Sequence, residues 1–246
     1  MTKQVVFCDF DGPIVDVSER YYQTYQQGLR AIASIYAQDT KTALPISPLS
    51  KHHFWQMKQN RMADIEIAIR SGIPASWFDP FIQIVKQIVN HPSLLLCDQL
   101  QPSAWAALQH IQQANMRLVL VTLRHPQQVD AFLHQQGMAH LVDEVYGLID
   151  MNAAYVNQVE QKCDLLAQAI AQQKVKGYRT HTSWMIGDTE ADIIAARGMG
   201  LSAAALTCGV RSKSYLQKLE PTAIYDELLS AAKAAVQRAN LQVASL

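Results

Sequence analysis

The stretch Val5-Val6-Phe7-Cys8-Asp9-Phe10-Asp11-Gly12-Pro13-Ile14-Val15-Asp16 decides the fold. Its first four residues are β-branched, aromatic or thiol-bearing with no polar alternation, the pattern of a strand buried on both faces of a parallel sheet. The run stops at Asp9, and two carboxylates follow on alternate residues. At a strand end, residues i and i+2 point to the same side, so Asp9 and Asp11 can face one site. Gly12 supplies the backbone freedom for the chain to turn away. Two neighbouring carboxylates repel, a costly arrangement unless a cation compensates them or one holds a proton, and either remedy serves catalysis. Read alone, Asp-x-Asp-Gly is also compatible with an Asx-type turn after a strand.

Further along, Leu118-Val119-Leu120-Val121 ends at Thr122, Ser183-Trp184-Met185-Ile186 ends at Gly187-Asp188, and 203–206 makes a fourth run of the same kind. Helical patterns separate them, over 104–114 with Trp105, Leu108 and Ile111 apolar, and over 191–197. Alternating strands and helices predict an α/β fold with an open parallel sheet, in which ligands bind outside the carboxyl ends of the strands. Residues 17–95 read differently. Helical patterns over 21–36, 54–70 and 80–89 dominate there, Pro45 and Pro48 punctuate them, and Pro92 falls near the return to the sheet. The expected division is therefore 1–16 with 96–246 as the sheet domain, and 17–95 as a mostly helical insert.

In Gly187-Asp188-Thr189-Glu190-Ala191-Asp192 a second acidic pair follows a strand and opens a helix. Spacing of four on a helix would put Asp188 and Asp192 on one face, Asp188 as a metal ligand and Asp192 orienting a water or a neighbouring side chain. The alternative is that Asp188 caps the helix, with the acids favoured by its dipole. The hydroxyl of Thr122 and the amides of Leu123 and Arg124 could cradle phosphate oxygens; equally, Thr122 could be a helix cap and Arg124 a solvated surface charge. Lys162 sits in a helical pattern with Val159, Leu165 and Leu166, where a surface lysine is the ordinary expectation.

The whole chain narrows the function. It has 246 residues, 49% hydrophobic and 17% charged, and Lys plus Arg balance Asp plus Glu at 21 each. A globular protein with no global field is expected, suited to a small polar substrate and to neither nucleic acid nor an anionic membrane. The four cysteines, Cys8, Cys97, Cys163 and Cys208, form no CxxC pair or zinc-type cluster. They read as reduced thiols of a cytoplasmic protein, and the apolar run after Met-Thr-Lys-Gln is too short for an export signal. Monomer and homodimer both remain open.

The order of elements, an Asp9-x-Asp11-Gly12-x-x-x-Asp16 motif, a strand-terminal Thr122, Lys162, and Gly187-Asp188-x-x-x-Asp192, resembles the haloacid dehalogenase superfamily. The likeness frames the sheet domain and is closest to its phosphoglycolate phosphatase and β-phosphoglucomutase branch. Pro13 and the residue after Lys162 depart from that branch. The resemblance implies a Rossmann-like core with an inserted helical cap that closes over the site. It implies Asp9 as nucleophile, Asp11 as acid/base, Thr122 as phosphate contact and Lys162 as charge neutraliser. Mg²⁺ would be bound by Asp9, the main-chain carbonyl of Asp11 and Asp188, with Asp192 supporting these ligands from behind. The implied activity is hydrolysis of a small phosphorylated metabolite through an aspartyl-phosphate, with Gly12, Leu123 and Arg124 around the phosphate. A phosphomutase would use the same motifs, and a non-catalytic metal-binding regulatory module would keep the fold. In the insert, Trp55, Lys58 and Arg61 are specificity candidates, and none of Lys41, Lys51 or Lys58 has the context of a Schiff-base lysine.

Overall fold

A computed structural model describes residues 3–150 and 153–243. The chain forms two compact units, 1–16 with 99–246, and 17–98. Eight strands are described: β1 (Val5–Cys8), β2 (Val15–Asp16), β3 (Gln99–Leu100), β4 (Arg117–Val121), β5 (Glu144–Tyr146), β6 (Trp184–Gly187), β7 (Ser202–Leu206) and β8 (Ala223–Tyr225). Six of them build one sheet in the order β5-β4-β1-β6-β7-β8. Every neighbouring pair in it is parallel. The remaining two, β2 and β3, pair antiparallel as a short ribbon, Val15 with Leu100 and Asp16 with Gln99. This is the α/β, Rossmann-like sheet expected from the four apolar runs. β5 and β8 escape a sequence reading because they are three-residue edge strands, only partly buried, with no long apolar run to announce them.

Period-two alternation divides the sheet's side chains between two helical layers. Val5, Phe7, Val119, Val121, Met185, Ala203 and Ala205 share one apolar cluster with Leu165, Leu166, Ala169 and Ile193. Those partners belong to the helices Val159–Val175 and Glu190–Gly198. The alternate residues Val6, Leu118, Leu120 and Ile186 are equally buried. Their direction is that of the helices Ala104–Gln113 and Leu228–Val243, which pack on each other and on the sheet. In β7 the run Ala203-Ala204-Ala205 offers no bulk, which lets the helix Glu190–Gly198 settle close to the strand. Leu166, with no exposed surface, is of the kind whose truncation to Ala costs about 2–5 kcal/mol.

The unit 17–98 is helical. Its longest helix, Ser18–Thr40, buries Tyr21, Tyr25, Gly28, Leu29 and Ile32, an i, i+4, i+7 stripe. Tyr25 stacks on Phe54 with centroids 4.6 Å apart. At Gly28 an added Cβ would meet Val85 and Phe81 at 3.0 and 3.1 Å, so glycine permits the close approach of the helix Phe78–Ile88. The unit runs to Asp98 because Arg20 Nε holds Asp98 Oδ1 at 2.9 Å, both side chains almost wholly buried.

One expected element divides. The pattern over 54–70 is two helices, Lys51–Gln59 and Asp64–Arg70. Arg61 takes a left-handed φ of 59° between them, and Lys58 Nζ bridges to Asp64 Oδ1 at 2.8 Å, which clips the turn. Ser50 caps the first helix by accepting from the His53 amide. Among the described residues no helix is long and apolar enough to cross a membrane. All four cysteines are free.

Candidate active site

In the sheet, β1 lies between β4 and β6. Asp9, Thr122 and Asp188 are each the first residue after one of these three adjacent strands. The chain goes to one side of β1 for β4 and β5, then to the other for β6, so this edge is a topological switch point, where loops diverge and leave a crevice. The Asp9 amide donates to the Ile186 carbonyl at 2.8 Å and the Thr122 amide to the Tyr146 carbonyl at 2.9 Å. Both residues are thereby anchored at the strand ends.

Asp9, Asp188 and Asp192 converge, each buried, with one carboxylate oxygen apiece lying within 4.8 Å of the others. Lys162 stands among them. Its ammonium is 2.8 Å from Asp9 Oδ2 and 2.9 Å from Asp192 Oδ1, and donates to the Val121 carbonyl at 2.9 Å. Lys162 is 1% exposed, so the surface alternative is corrected. Its helix, Val159–Val175, packs on β4 and turns this residue inward with Leu165 and Leu166.

Three carboxylates against one ammonium leave a formal charge of −2 in a buried site. Burial raises the Asp9 carboxyl to about 7, with Lys162 pulling it down and Asp192 pushing it up. Asp188 is raised well above the ordinary range, first by burial and then by Asp192 and Asp9. Burial works to discharge Lys162, but Asp192 and Asp9 outweigh it and raise its pKa. Burial is the first cause of both carboxyl shifts, while the neighbouring carboxylates are what raise Lys162. Among the described residues, Asp188 Oδ1 is buried with no hydrogen-bond partner. A hard divalent cation fits this set, because it would satisfy the orphaned oxygen, balance the charge and meet only oxygen donors.

Asp11 lies outside the three-carboxylate cluster and pairs with Arg124, Nη1 to Oδ1 at 2.9 Å. The Arg124 side chain is 2% exposed, which corrects its reading as a solvated charge. Its amide is also engaged, donating to Thr122 Oγ1 at 3.2 Å, so this amide and the hydroxyl partly satisfy each other within the loop. Thr122 does not cap the following helix; His125 does, accepting from the Gln127 amide. Leu123 is buried. Gly12 has φ of 94°, and a Cβ there would stand 2.2 Å from the Asp188 carboxylate. Its smallness therefore makes room for the second acidic motif as well as the turn.

Asp188 neither caps the helix nor sits on its face. The helix Glu190–Gly198 begins two residues later, with Thr189 as N-cap in a capping box with Asp192. Asp192 Oδ2 accepts from the Thr189 amide and hydroxyl at 3.1 and 2.9 Å, while Oδ1 faces Lys162. Asp188 and Asp192 thus converge through strand end and first helical turn, not through helical periodicity. Arg61 belongs to the helical unit, exposed, in the left-handed turn described above.

Several contributors lay outside the sequence reading. Val210 donates its amide to Asp188 Oδ2 at 2.6 Å. Gln101 Nε2 donates to the Gly12 carbonyl at 2.9 Å and the Cys208 carbonyl at 3.1 Å. Arg211 grips Glu190. The only local signal was the pair of glycines near them, Gly187 and Gly209, where a Cβ would come within 2.2 Å of Asp192 and 2.1 Å of Asp188 respectively.

An open parallel sheet with a buried acidic cluster at its switch point defines an α/β protein with a candidate cation and active site, and comparison with known proteins narrows it. A family model for haloacid dehalogenase-like hydrolases matches residues 5–206, and the chain belongs to that family. A phosphoglycolate phosphatase from Synechococcus elongatus is 25% identical over 215 residues, covering 87% of this chain and 88% of the relative. A predicted phosphatase from Clostridium acetobutylicum matches with TM-score 0.66 at 15% identity, over 96% of this chain and 100% of that one. Protein tyrosine kinase A from Mycobacterium tuberculosis matches with TM-score 0.63 at 18% identity, over 94% of this chain and 98% of that one. The structural matches speak for the fold alone, and a kinase among them illustrates that the reaction must be argued from the site.

Proposed function

We propose that this enzyme hydrolyses the phosphate monoester of a small metabolite, with Mg²⁺ as cofactor and Asp9 as the nucleophile that holds the phosphoryl group between two half-reactions. The observation that carries this reading is the buried group of Asp9, Asp188, Asp192 and Lys162, a carboxylate nucleophile beside an ammonium and an orphaned carboxylate oxygen. Family membership and the likeness to a phosphoglycolate phosphatase support phosphate esters as the substrate class.

Asp9, the Asp11 main-chain carbonyl and Asp188 would hold Mg²⁺, with Asp192 behind them; when bound, it supplies positive charge against the phosphoryl oxygens. In the first half-reaction an Asp9 oxygen bonds to phosphorus, the bond to the leaving oxygen breaks, and Asp11 gives that oxygen its proton. In the second, Asp11 takes a proton from water, the water oxygen bonds to phosphorus, and the bond to Asp9 breaks to release inorganic phosphate. Lys162, fixed by the Val121 carbonyl and Asp192, keeps its charge against Asp9 throughout. Gly12, Thr122 and the Leu123 amide receive phosphoryl oxygens, and Arg124 orients Asp11. The helical unit selects the substrate, with Arg61 as one determinant.

Phosphate release from a panel of phosphorylated metabolites, with Mg²⁺ and with EDTA, tests the reading, together with acid-quench trapping of the acyl phosphate. Mg²⁺-dependent release and a trapped adduct lost in Asp9→Asn are expected. Release that survives EDTA, or wild-type turnover in Asp9→Asn, overturns it.

A further inference from the structure

The loop after β7 carries a buried ion pair that the proposed half-reactions do not use. Arg211 is 4% exposed and meets one carboxylate at two points, Nε to Glu190 Oε2 at 2.7 Å and Nη2 to Glu190 Oε1 at 3.0 Å. A forked guanidinium–carboxylate pair fixes distance and plane together, which a single ammonium contact does not. Glu190 opens the helix that holds Asp192, and lies two residues beyond Asp188. Arg211 directly follows Val210, whose amide donates to Asp188 Oδ2. Gly209 lets the loop backbone come this near. Gln101 fastens the same loop from its other end through the Cys208 carbonyl. One oxygen of Asp188 is thus pinned by the loop, and the other, Oδ1, is buried and without a hydrogen-bond partner among the described residues.

We infer that Arg211 and Glu190 are positioning residues for Asp188 as a cation ligand. Their ion pair sets the loop so that the Val210 amide holds Oδ2, and Oδ1 is presented to a divalent cation without rotation of the carboxylate. Partners of this kind, one step removed from the ligand, commonly govern metal affinity about 10–100-fold. The inference rests on the reading of Asp188 as a metal ligand in the proposed function. A pair that merely tied loop to helix would change stability and leave cation affinity alone.

Calorimetric titration with Mg²⁺, and Mn²⁺ binding followed by electron paramagnetic resonance, test it on the full chain as wild type, Arg211→Met, Arg211→Lys, Glu190→Gln and Asp188→Asn. Thermal unfolding runs alongside. Arg211→Met and Glu190→Gln are expected to weaken Mg²⁺ binding about 10–100-fold, and Arg211→Lys by a comparable factor, because lysine restores charge but not the fork. Should Arg211→Met fail to fold, Arg211→Lys and Glu190→Gln decide. Wild-type Mg²⁺ affinity in those folded variants, with only the melting temperature lowered, overturns the inference while leaving the proposed function intact. Absence of Mg²⁺ binding by wild type itself, or equal affinity in Asp188→Asn, overturns the metal-ligand reading on which both rest.

Discussion

Arg124 Nη1 lies 2.9 Å from Asp11 Oδ1, and the same guanidinium sits over the Phe10 ring, 5.3 Å from its centroid. The contact joins the loop after β4 to the loop after β1. The second carboxylate of the first motif is therefore oriented from a neighbouring strand, by a residue remote from it in sequence. If Arg124 positions Asp11 for proton transfer, Arg124→Ala should lower kcat for alkyl phosphates by about 10–100-fold, the scale of a misplaced catalytic group, with KM little changed. Steady-state kinetics checks this. A raised KM with intact kcat would make Arg124 a substrate ligand instead.

In the proposed mechanism it is Asp11 that separates phosphate chemistry from dehalogenation. A halide leaves as a stable anion and needs no proton, whereas an alkoxide leaving phosphorus does. Asp11→Asn should slow poor leaving groups by roughly 10²–10⁴ and activated aryl phosphates by much less. Rates across esters of graded leaving-group pKa measure it. An equal loss on every ester, or halide release from 2-haloacids by the wild type, contradicts the role.

Among the described residues, Lys162 is the single ammonium paired within the three-carboxylate cluster. Removing one partner of a buried ion pair costs about 3–5 kcal/mol, because the remaining charge loses its compensation. Lys162→Met should therefore melt well below wild type in EDTA. Millimolar Mg²⁺ should restore more of the melting temperature in the variant than it adds to wild type, since the variant site carries one more negative charge. Scanning calorimetry with and without Mg²⁺ gives the comparison, and a Mg²⁺ shift no larger than in wild type refutes it.

At the amino end of the sheet Glu144 gathers Lys176, Tyr146, Arg117 and Gln173. Burial works to raise its carboxyl, but the contacts with Lys176, Tyr146 and Arg117 outweigh this and hold it at about 2, below its ordinary 4.5. A depressed pKa stabilises the fold above the unfolded value, and the contribution is lost as pH falls from 4.5 toward 2. Glu144→Gln should lower the melting temperature at pH 7 by about 2–4 °C, for about 1 kcal/mol in a chain of this size. The gap should narrow steadily below pH 4.5, the ordinary value of the group. A gap independent of pH would show that packing, not charge, is lost.

Residues 5–16 alone determined that a buried strand ends in paired acids, and residues 183–192 repeated the signal, because burial and termination of a strand are written locally in apolar runs and the polar residues that stop them. The helical insert was legible for the same reason, through periodicity. The pattern over 54–70 reads as one helix because the left-handed turn at Arg61 depends on a clip between Lys58 and Asp64 that periodicity does not register. Helix initiation at Thr189, instead of Asp188, turned on which side chain met Asp192.

What only the tertiary structure decided is which distant residues meet. The placement of β1 between β4 and β6 brings Asp9, Thr122 and Asp188 to one edge, and no single segment encodes strand order. Lys162 reads as a surface lysine in its own helix; docking of that helix on β4 buries it against Asp9 and Asp192. Arg124 finds Asp11, and Arg211 finds Glu190, across loops whose lengths say nothing of their endpoints. Local sequence sets which residues are buried and where elements stop, but charge pairing follows from the global packing that minimises exposed apolar surface, and that choice is made by the whole chain at once.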